Sequence, residues 1–314
     1  MAPENVTAVT EFILMGVSDS PELQLPLFFV FLVYGLTMVG NLGIITLTSV
    51  DSHLQTPMYF FLRQLAVINL GNSTVIAPKM MTNFLVKKKT TFYYECATQM
   101  GGFLFFIVAE VFMLAVMAYD RYVAICNPLL YMVVVSRQIC LLLVSITYAY
   151  GFSTAIVVTS CVFSMSYCSS NVFNHFYCDT VPLLVLSCSD TYFPEIVVFS
   201  SAATNLVLSI TVVVVSYSNI VLSILRIRSS EGRKKAFSTC ASHIMAVTVF
   251  YGTLLFVYLQ PKTDHSLDSD KIASVFCTLV IPMLNPMIYS LRNKDVIAAF
   301  KRFLSNPCYS FKPL

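Results

Sequence analysis

Seven stretches of mostly apolar residues, each about the twenty or more that one bilayer crossing needs, constrain this chain more than any other feature. They run from about Gln24 to Val50, Met58 to Val86, Thr98 to Cys126, Cys140 to Ser164, Ile196 to Leu225, Phe237 to Gln260 and Lys271 to Leu291. In hydrocarbon every backbone amide must be satisfied within its own segment or by a neighbour, so each run reads as a helix. The second is the most broken, by Arg63, Asn69, Asn72, Pro78 and Lys79, and such breaks are tolerated where other helices satisfy the freed groups. Composition agrees, with 57% hydrophobic and 11% charged residues, where a soluble domain carries about 25% charged. The expected fold class is an all-α membrane protein, a seven-transmembrane helix bundle forming one domain over residues 1–314.

Charge sets the orientation. With the N-terminus outside, thirteen of the nineteen Lys and Arg fall on the cytoplasmic side, and eleven of the sixteen Asp and Glu fall outside. Basic residues concentrate in cytoplasmic loops, so residues 1–23 are expected to be an extracellular tail, 24–291 the bundle and 305–314 a cytoplasmic tail. Lys87, Lys88 and Lys89 are the exception and read as a solvated face in the first outer loop. Between bundle and tail, residues 293–304 read NKDVIAAFKRFL. Val296, Ile297, Phe300, Phe303 and Leu304 share one face, and Lys294, Lys301 and Arg302 lie off it, which suits a short amphipathic helix on the inner membrane surface. Asn5-Val6-Thr7 is a glycosylation acceptor on the outer side, and Cys308 is a candidate for palmitoylation.

Within this frame a few polar residues stand where charge is costly. Asp120 and Arg121, flanked by Tyr119 and Tyr122, close the third run, where the acid can hold the arginine at the cytoplasmic edge. Glu110 lies ten residues earlier, inside the span, and an intramembrane acid is a functional candidate by default. Pro286 in the seventh run removes a backbone donor and loosens its helix, letting Asn285 and Tyr289 swivel together. Cys96, Cys168, Cys178 and Cys188 fall in outer segments, where oxidation is expected and three pairings are open. The other cysteines read as small apolar residues.

In order along the chain stand Gly40-Asn41, Leu54-Gln55-Thr56-Pro57-Met58-Tyr59-Phe60-Phe61-Leu62, Met117 to Cys126, Ser216-Tyr217, Lys235-Ala236-Phe237-Ser238-Thr239-Cys240-Ala241-Ser242-His243, and Pro282 to Asn293 with Asn285-Pro286-Met287-Ile288-Tyr289. Together they resemble the vertebrate olfactory receptors of the rhodopsin-like G-protein-coupled family, tetrapod-type class, over essentially the whole chain. The resemblance implies a receptor in the plasma membrane of olfactory cilia that binds a small volatile odorant and activates a stimulatory, olfactory-type G protein to raise cyclic AMP. It implies no cofactor and no nucleic-acid partner. The activation switch it implies comprises Asp120, Arg121, Tyr217, His243, Asn285, Pro286 and Tyr289. The carboxylate frees the arginine as the sixth span moves outward, and a cavity edged by Lys234, Lys235 and the loop around Tyr131 accepts a G-protein helix.

The same resemblance pairs Cys96 with Cys178 and Cys168 with Cys188. It assigns Asn41, Asn69 and Glu110 to a polar layer, although Asn69 stands where the family usually has a carboxylate, which weakens a sodium site because a hard cation wants several oxygens and negative charge. The rival is a protonated Glu110 hydrogen-bonded to Asn69 or Asn285. The implied ligand site is Met100, Phe103, Leu104 and Ile107 on the third span, Ser201, Ala202 and Asn205 on the fifth, Leu254, Leu255 and Tyr258 on the sixth and Val275 and Thr278 on the seventh, with Tyr251 as floor. These residues carry no charge, which disfavours amine and carboxylate ligands and suits a mostly apolar molecule.

The alternative is a transporter or channel. A transporter often shows internal repeats and paired broken helices, and neither is visible. An enzyme needs a nucleophile and base that converge, whereas His53, His175, His243 and His265 are scattered. His175-Phe176-Tyr177-Cys178-Asp179 is a poor metal motif if Cys178 is in a disulfide and supplies no thiolate.

Overall fold

The computed structural model describes residues 11–14, 24–86, 89–168, 172–173, 175–259, 274–291 and 293–305. The long helices are α1 (Gln24–Val50), α2 (Pro57–Leu85) and α3 (Tyr93–Cys126). A short α4 (Tyr131–Val134) in the second inner loop precedes α5 (Arg137–Phe163). In the second outer loop lies α6 (Thr180–Leu186), followed by α7 (Tyr192–Arg226) and α8 (Ser230–Leu259). Last come α9 (Ile281–Leu291) and α10 (Lys294–Ser305). By length and composition α1 from Leu27, α3, α5 and α7 are each long and apolar enough to cross a membrane, and α8 and the seventh span contribute apolar stretches Cys240–Phe256 and Phe276–Tyr289. With the 29-residue α2 these make the seven-transmembrane bundle.

Helix ends extend past the apolar runs. The third helix begins five residues before Thr98 and the sixth seven before Phe237, because hydrophobicity marks only the hydrocarbon while the backbone continues into the interface. Exposed Phe28, Val157 and Val207 are the lipid-facing side. Between the helices Leu65, Ile68, Met113, Leu114, Phe250 and Tyr289 belong to one continuous core.

The seventh span widens by one residue upstream of Pro286. Residues Phe276–Val280 form a widened turn in which the Ile281 N–H reaches Phe276 O, five residues back. Pro282 follows at once, has no N–H, and its ring would press on the carbonyl four residues before it, so the slipped register accommodates it. Pro286 itself sits inside α9. Its ring is close to α1, where a Cβ added at Gly40 would meet Pro286 Cγ at 3.1 Å. Glycine gives that approach room, and a larger residue there would need the Pro286 ring to yield by a few tenths of an ångström.

The amphipathic helix also divides its face. Val296 and Ala299 are buried in the bundle core, and Phe300, Phe303 and Leu304 are exposed.

At the outer end β1 (Glu11–Leu14), β2 (Thr90–Phe92) and β3 (Val172–Phe173) form a sheet in the order β2-β1-β3. Lys79 Nζ lies 3.1 Å from Glu95 Oε2, joining the outer ends of α2 and α3.

Candidate functional site

The inner end of α3 carries Asp120, buried because Val123, Met117 and their neighbours on that face pack into the core. Arg121 Nε donates to Asp120 Oδ2 at 3.1 Å, and its Nη2 donates to the same oxygen. The other carboxylate oxygen accepts from the Tyr131 hydroxyl at 2.7 Å. Burial, reinforced by the Asp120 charge, pushes that hydroxyl up, so it remains a donor. Tyr131 therefore belongs to the clamp, a role its position in a loop did not reveal.

Beside the clamp the Tyr217 hydroxyl on α7 is hydrogen-bonded to His243 Nδ1 on α8, with the two rings stacked. Tyr289 of α9 also lies beside the imidazole, at 6.3 Å between ring centroids, and its hydroxyl makes no hydrogen bond within the described residues. Cys240 packs with Ile220 and Ile224, closing α8 against α7 at this level. Arg121, Tyr217, His243 and Tyr289 thus gather from four helices, and the first three have partners that can be exchanged without breaking backbone structure.

Midway through the bundle a chain of amides crosses four helices. Asn41 Nδ2 on α1 donates to Pro282 O at 3.0 Å, and its Oδ1 accepts from Asn69 Nδ2 on α2 at 3.3 Å. Asn285 Nδ2 on α9 donates both to Asn69 Oδ1 at 3.3 Å and to Glu110 Oε1 on α3 at 3.1 Å. Glu110 Oε2 and both amide atoms of nearby Asn72 make no hydrogen bond within the described residues. Glu110 is the layer's one carboxylate, and Asn69 stands where a second would add negative charge for a hard cation. The hydrogen bond from Asn285 to Glu110 is the contact that the protonated-acid reading expects.

The candidate ligand residues fall into three packed groups and a remainder. Met100, fully buried, and Leu104 pack with Cys178 and Leu183 of the second outer loop. Phe103 and Val275 pack with Phe176 and Tyr177, the Phe103 and Tyr177 rings meeting edge-on at 5.3 Å. Ile107, Tyr251 and Leu254 join the central core. Tyr251 donates to Val111 O on α3 at 3.1 Å, one residue beyond Glu110. Thr278 is buried and donates to Ser274 O at 2.7 Å. Ser201 and Ala202 are half-buried on α7, whereas Leu255 is exposed. Asn205 is buried, but its Oδ1 accepts from the Tyr150 hydroxyl on α5 at 2.8 Å, a partner with no signal in the sequence. The Tyr258 and Lys235 side chains, Asn5 and Cys308 lie outside the described residues.

Both outer disulfides are formed, Cys96 to Cys178 with Cα atoms 5.4 Å apart and Cys168 to Cys188 at 6.0 Å. Cys178 N–H also donates to Gln99 Oε1 at 3.1 Å, holding the loop over Met100.

At the inner rim two further contacts tie the amphipathic helix down. Arg302 Nη2 lies 2.7 Å from Asp51 Oδ2, and the His53 N–H donates to Asp51 Oδ1 at 2.9 Å. Burial works against the Asp51 charge, but Arg302 and His53 outweigh it and hold the carboxyl below its ordinary range. The Tyr59 hydroxyl donates to Asp295 Oδ2 at 3.3 Å and accepts from Asn293 Nδ2 at 3.0 Å. Tyr59 and Asn293 each stand in a recurrent sequence motif, and the structure shows that they meet.

A family model described as olfactory receptor matches residues 29–307. Olfactory receptor 8J3 of Homo sapiens is 80% identical over the whole of both chains, and olfactory receptor 8J1 of the same organism is 79% identical over the same extent. Olfactory receptor 8U3 of Mus musculus is 55% identical over 100% of this chain and 99% of its own. With identity of that degree over its full length and each of the family's motifs in place, the chain belongs to the olfactory receptor family.

Proposed function

We propose that this chain is an odorant receptor of the plasma membrane, its N-terminus outside, that binds a small, mostly apolar volatile in the outer half of the bundle. Ligand binding activates a stimulatory G protein and raises cyclic AMP, as expected in olfactory cilia. The observation that carries this reading is that α3 is one unbroken helix of 34 residues bearing both ends of the device. Met100, Phe103, Leu104 and Ile107 lie toward its outer half and Asp120 and Arg121 at its inner end, separated by roughly 20–30 Å at 1.5 Å per residue.

Between them Tyr251 bonds α8 to α3 beside Glu110. A ligand resting on Leu254 and Tyr251 shifts α8 relative to α3. The inner end of α8 then moves outward, His243 exchanges Tyr217 as partner, and Arg121 leaves Asp120 for the cavity that takes the G-protein helix. Apolar lining with a few hydroxyls stabilises such a ligand by about 25 cal/mol per Å² buried.

The test is a screen of volatile compounds with a cyclic AMP reporter in cells supplied with a stimulatory G protein. Tyr258→Phe and Asn205→Ala should alter the response to polar-tipped odorants more than surface delivery, and an unchanged dose-response in both would remove the ligand-site assignment. Uptake or current without G protein would instead favour a transporter or channel.

A further inference from the structure

The strand β1 lies outside the helical bundle and outside the switch, yet Phe12 and Leu14 are completely buried. It is the middle strand of its sheet. On one side Glu11, Phe12 and Ile13 stand opposite Phe92, Thr91 and Thr90 of β2, antiparallel. On the other side Ile13 and Leu14 run parallel to Val172 and Phe173 of β3. The strand β2 leads directly into α3 at Tyr93, and β3 belongs to the loop that Cys178 anchors to Cys96. Such short strands are not stable alone, so β1 is what joins the two loops into one sheet.

The side chains of β1 continue that bridge downward. The Phe12 ring stacks on Tyr93 at 6.1 Å and meets Tyr167 edge-on at 5.5 Å. Phe12, Leu14, Cys178 and Met100 belong to one contiguous apolar cluster, and Leu104 packs against it.

We propose that β1 positions the odorant site: Phe12 and Leu14 hold the second outer loop down on the Met100–Leu104 side of α3, and so set which sizes of apolar ligand fit beneath it. The inference rests on the assignment of Met100 and Leu104 to that site. Without the Phe12 ring the loop relaxes outward, a short ligand loses contact and a longer one gains room.

The sheet supplies its own control. Leu14 N–H donates to Lys89 O at 2.9 Å, which marks a bonded pair in the antiparallel ladder. Alternation then makes Ile13 and Thr90 a non-bonded pair, the kind whose side chains approach most closely. A cross-link through Ile13→Cys and Thr90→Cys therefore fastens β1 without the Phe12 ring.

The experiment screens aliphatic alcohols, aldehydes and ketones for an agonist. It then measures cyclic AMP responses to that compound and to homologues about two and four carbons longer, at matched surface level. Wild type is compared with Phe12→Ala, Phe12→Ala carrying the cross-link, and Leu104→Ala. Phe12→Ala should reduce the potency of the shortest ligand roughly tenfold, the scale of one aromatic contact, while the longest loses less or gains, and the cross-link should restore the wild-type order. A uniform shift across the homologues, or none, overturns the proposal. If Phe12→Ala does not reach the surface, Phe12→Leu carries the same comparison, with a size-dependent shift supporting it and a uniform one overturning it. The two readings separate cleanly. If Leu104→Ala leaves every potency unchanged, the site assignment fails; if Leu104→Ala shifts potency but Phe12→Ala changes only surface level, the β1 inference alone fails.

Discussion

At the outer end the Cys96–Cys178 disulfide and a three-stranded sheet fasten the loops to α3, and Cys168–Cys188 closes the second loop on itself, whereas at the inner end Asp120, Arg121 and Tyr131, and beside them Tyr217 and His243, are held by side-chain hydrogen bonds and an ion pair. Both ends are well packed, so density does not separate them. What separates them is exchangeability. A disulfide or a strand pairing has no second partner nearby, while a guanidinium, a hydroxyl and an imidazole can trade partners within one cluster at little net cost, since a hydrogen bond exchanged for another changes free energy by about a kcal/mol or less. In the proposed function the outer end keeps a shape and the inner end changes one. The amide layer around Glu110 lies between, buried and hydrogen-bonded across four helices.

Breaking the outer end should have the largest effect. Cys96→Ser removes the bond between α3 and the second outer loop, and loss of a native disulfide typically costs about 2–5 kcal/mol. Cell-surface staining should fall sharply, and a receptor that reaches the surface normally would show that the two ends do not differ as described. Next in size is the layer between them. Asn285→Leu deprives Glu110 Oε1 and Asn69 Oδ1 of their shared donor, each buried acceptor left bare costing about 1–3 kcal/mol. Thermal stability in detergent should drop and the agonist response should vanish. Glu110→Gln should damage that response whether or not sodium is present, and a sodium-dependent wild-type response would restore the ion reading.

The inner end should yield smaller, functional effects. Tyr217→Phe loses the hydroxyl that meets His243 but keeps the ring, so surface level should hold while agonist potency shifts roughly three- to tenfold, as about 0.5–1.5 kcal/mol implies. Lost surface expression without a change in potency would make that contact structural. Smallest is the rim contact, where Asp51→Asn weakens the tie to Arg302 by about 0–1 kcal/mol. Because the folded Asp51 carboxyl lies below its ordinary value of 3.8, its contribution is fully present at neutral pH and is lost only as pH falls through that lowered value. Wild-type stability should thus show an extra acid-side decline that Asp51→Asn lacks.

The seven spans, and which polar residues lie within them, were legible because a bilayer imposes a length rule and a charge cost on each segment separately. What was not legible depends on two segments meeting. Tyr131 reads as one tyrosine in an inner loop until Asp120 is found beside it. Asn205 reads as a ligand contact, and only packing shows Tyr150 against its amide oxygen. Val296 reads as part of a membrane-facing stripe, but α10 turns it into the bundle core. The widened turn at Phe276–Val280 was not foreseen, because its cause, Pro282 just beyond it, reads in the sequence as one more proline of the seventh span. Strand β1 left no trace in hydropathy, because four residues alternating half-buried and buried are too few to stand out.

The account's central claim is that odorant binding at the outer end releases Arg121 at the inner end to a G protein. The most direct measurement is agonist-evoked cyclic AMP, with a stimulatory G protein supplied, in wild type and Arg121→Gln at equal surface density. The account predicts a saturable rise in wild type and none in Arg121→Gln, with the purified variant still binding the agonist. An undiminished rise in Arg121→Gln, or a wild-type response that persists without the G protein, would contradict it.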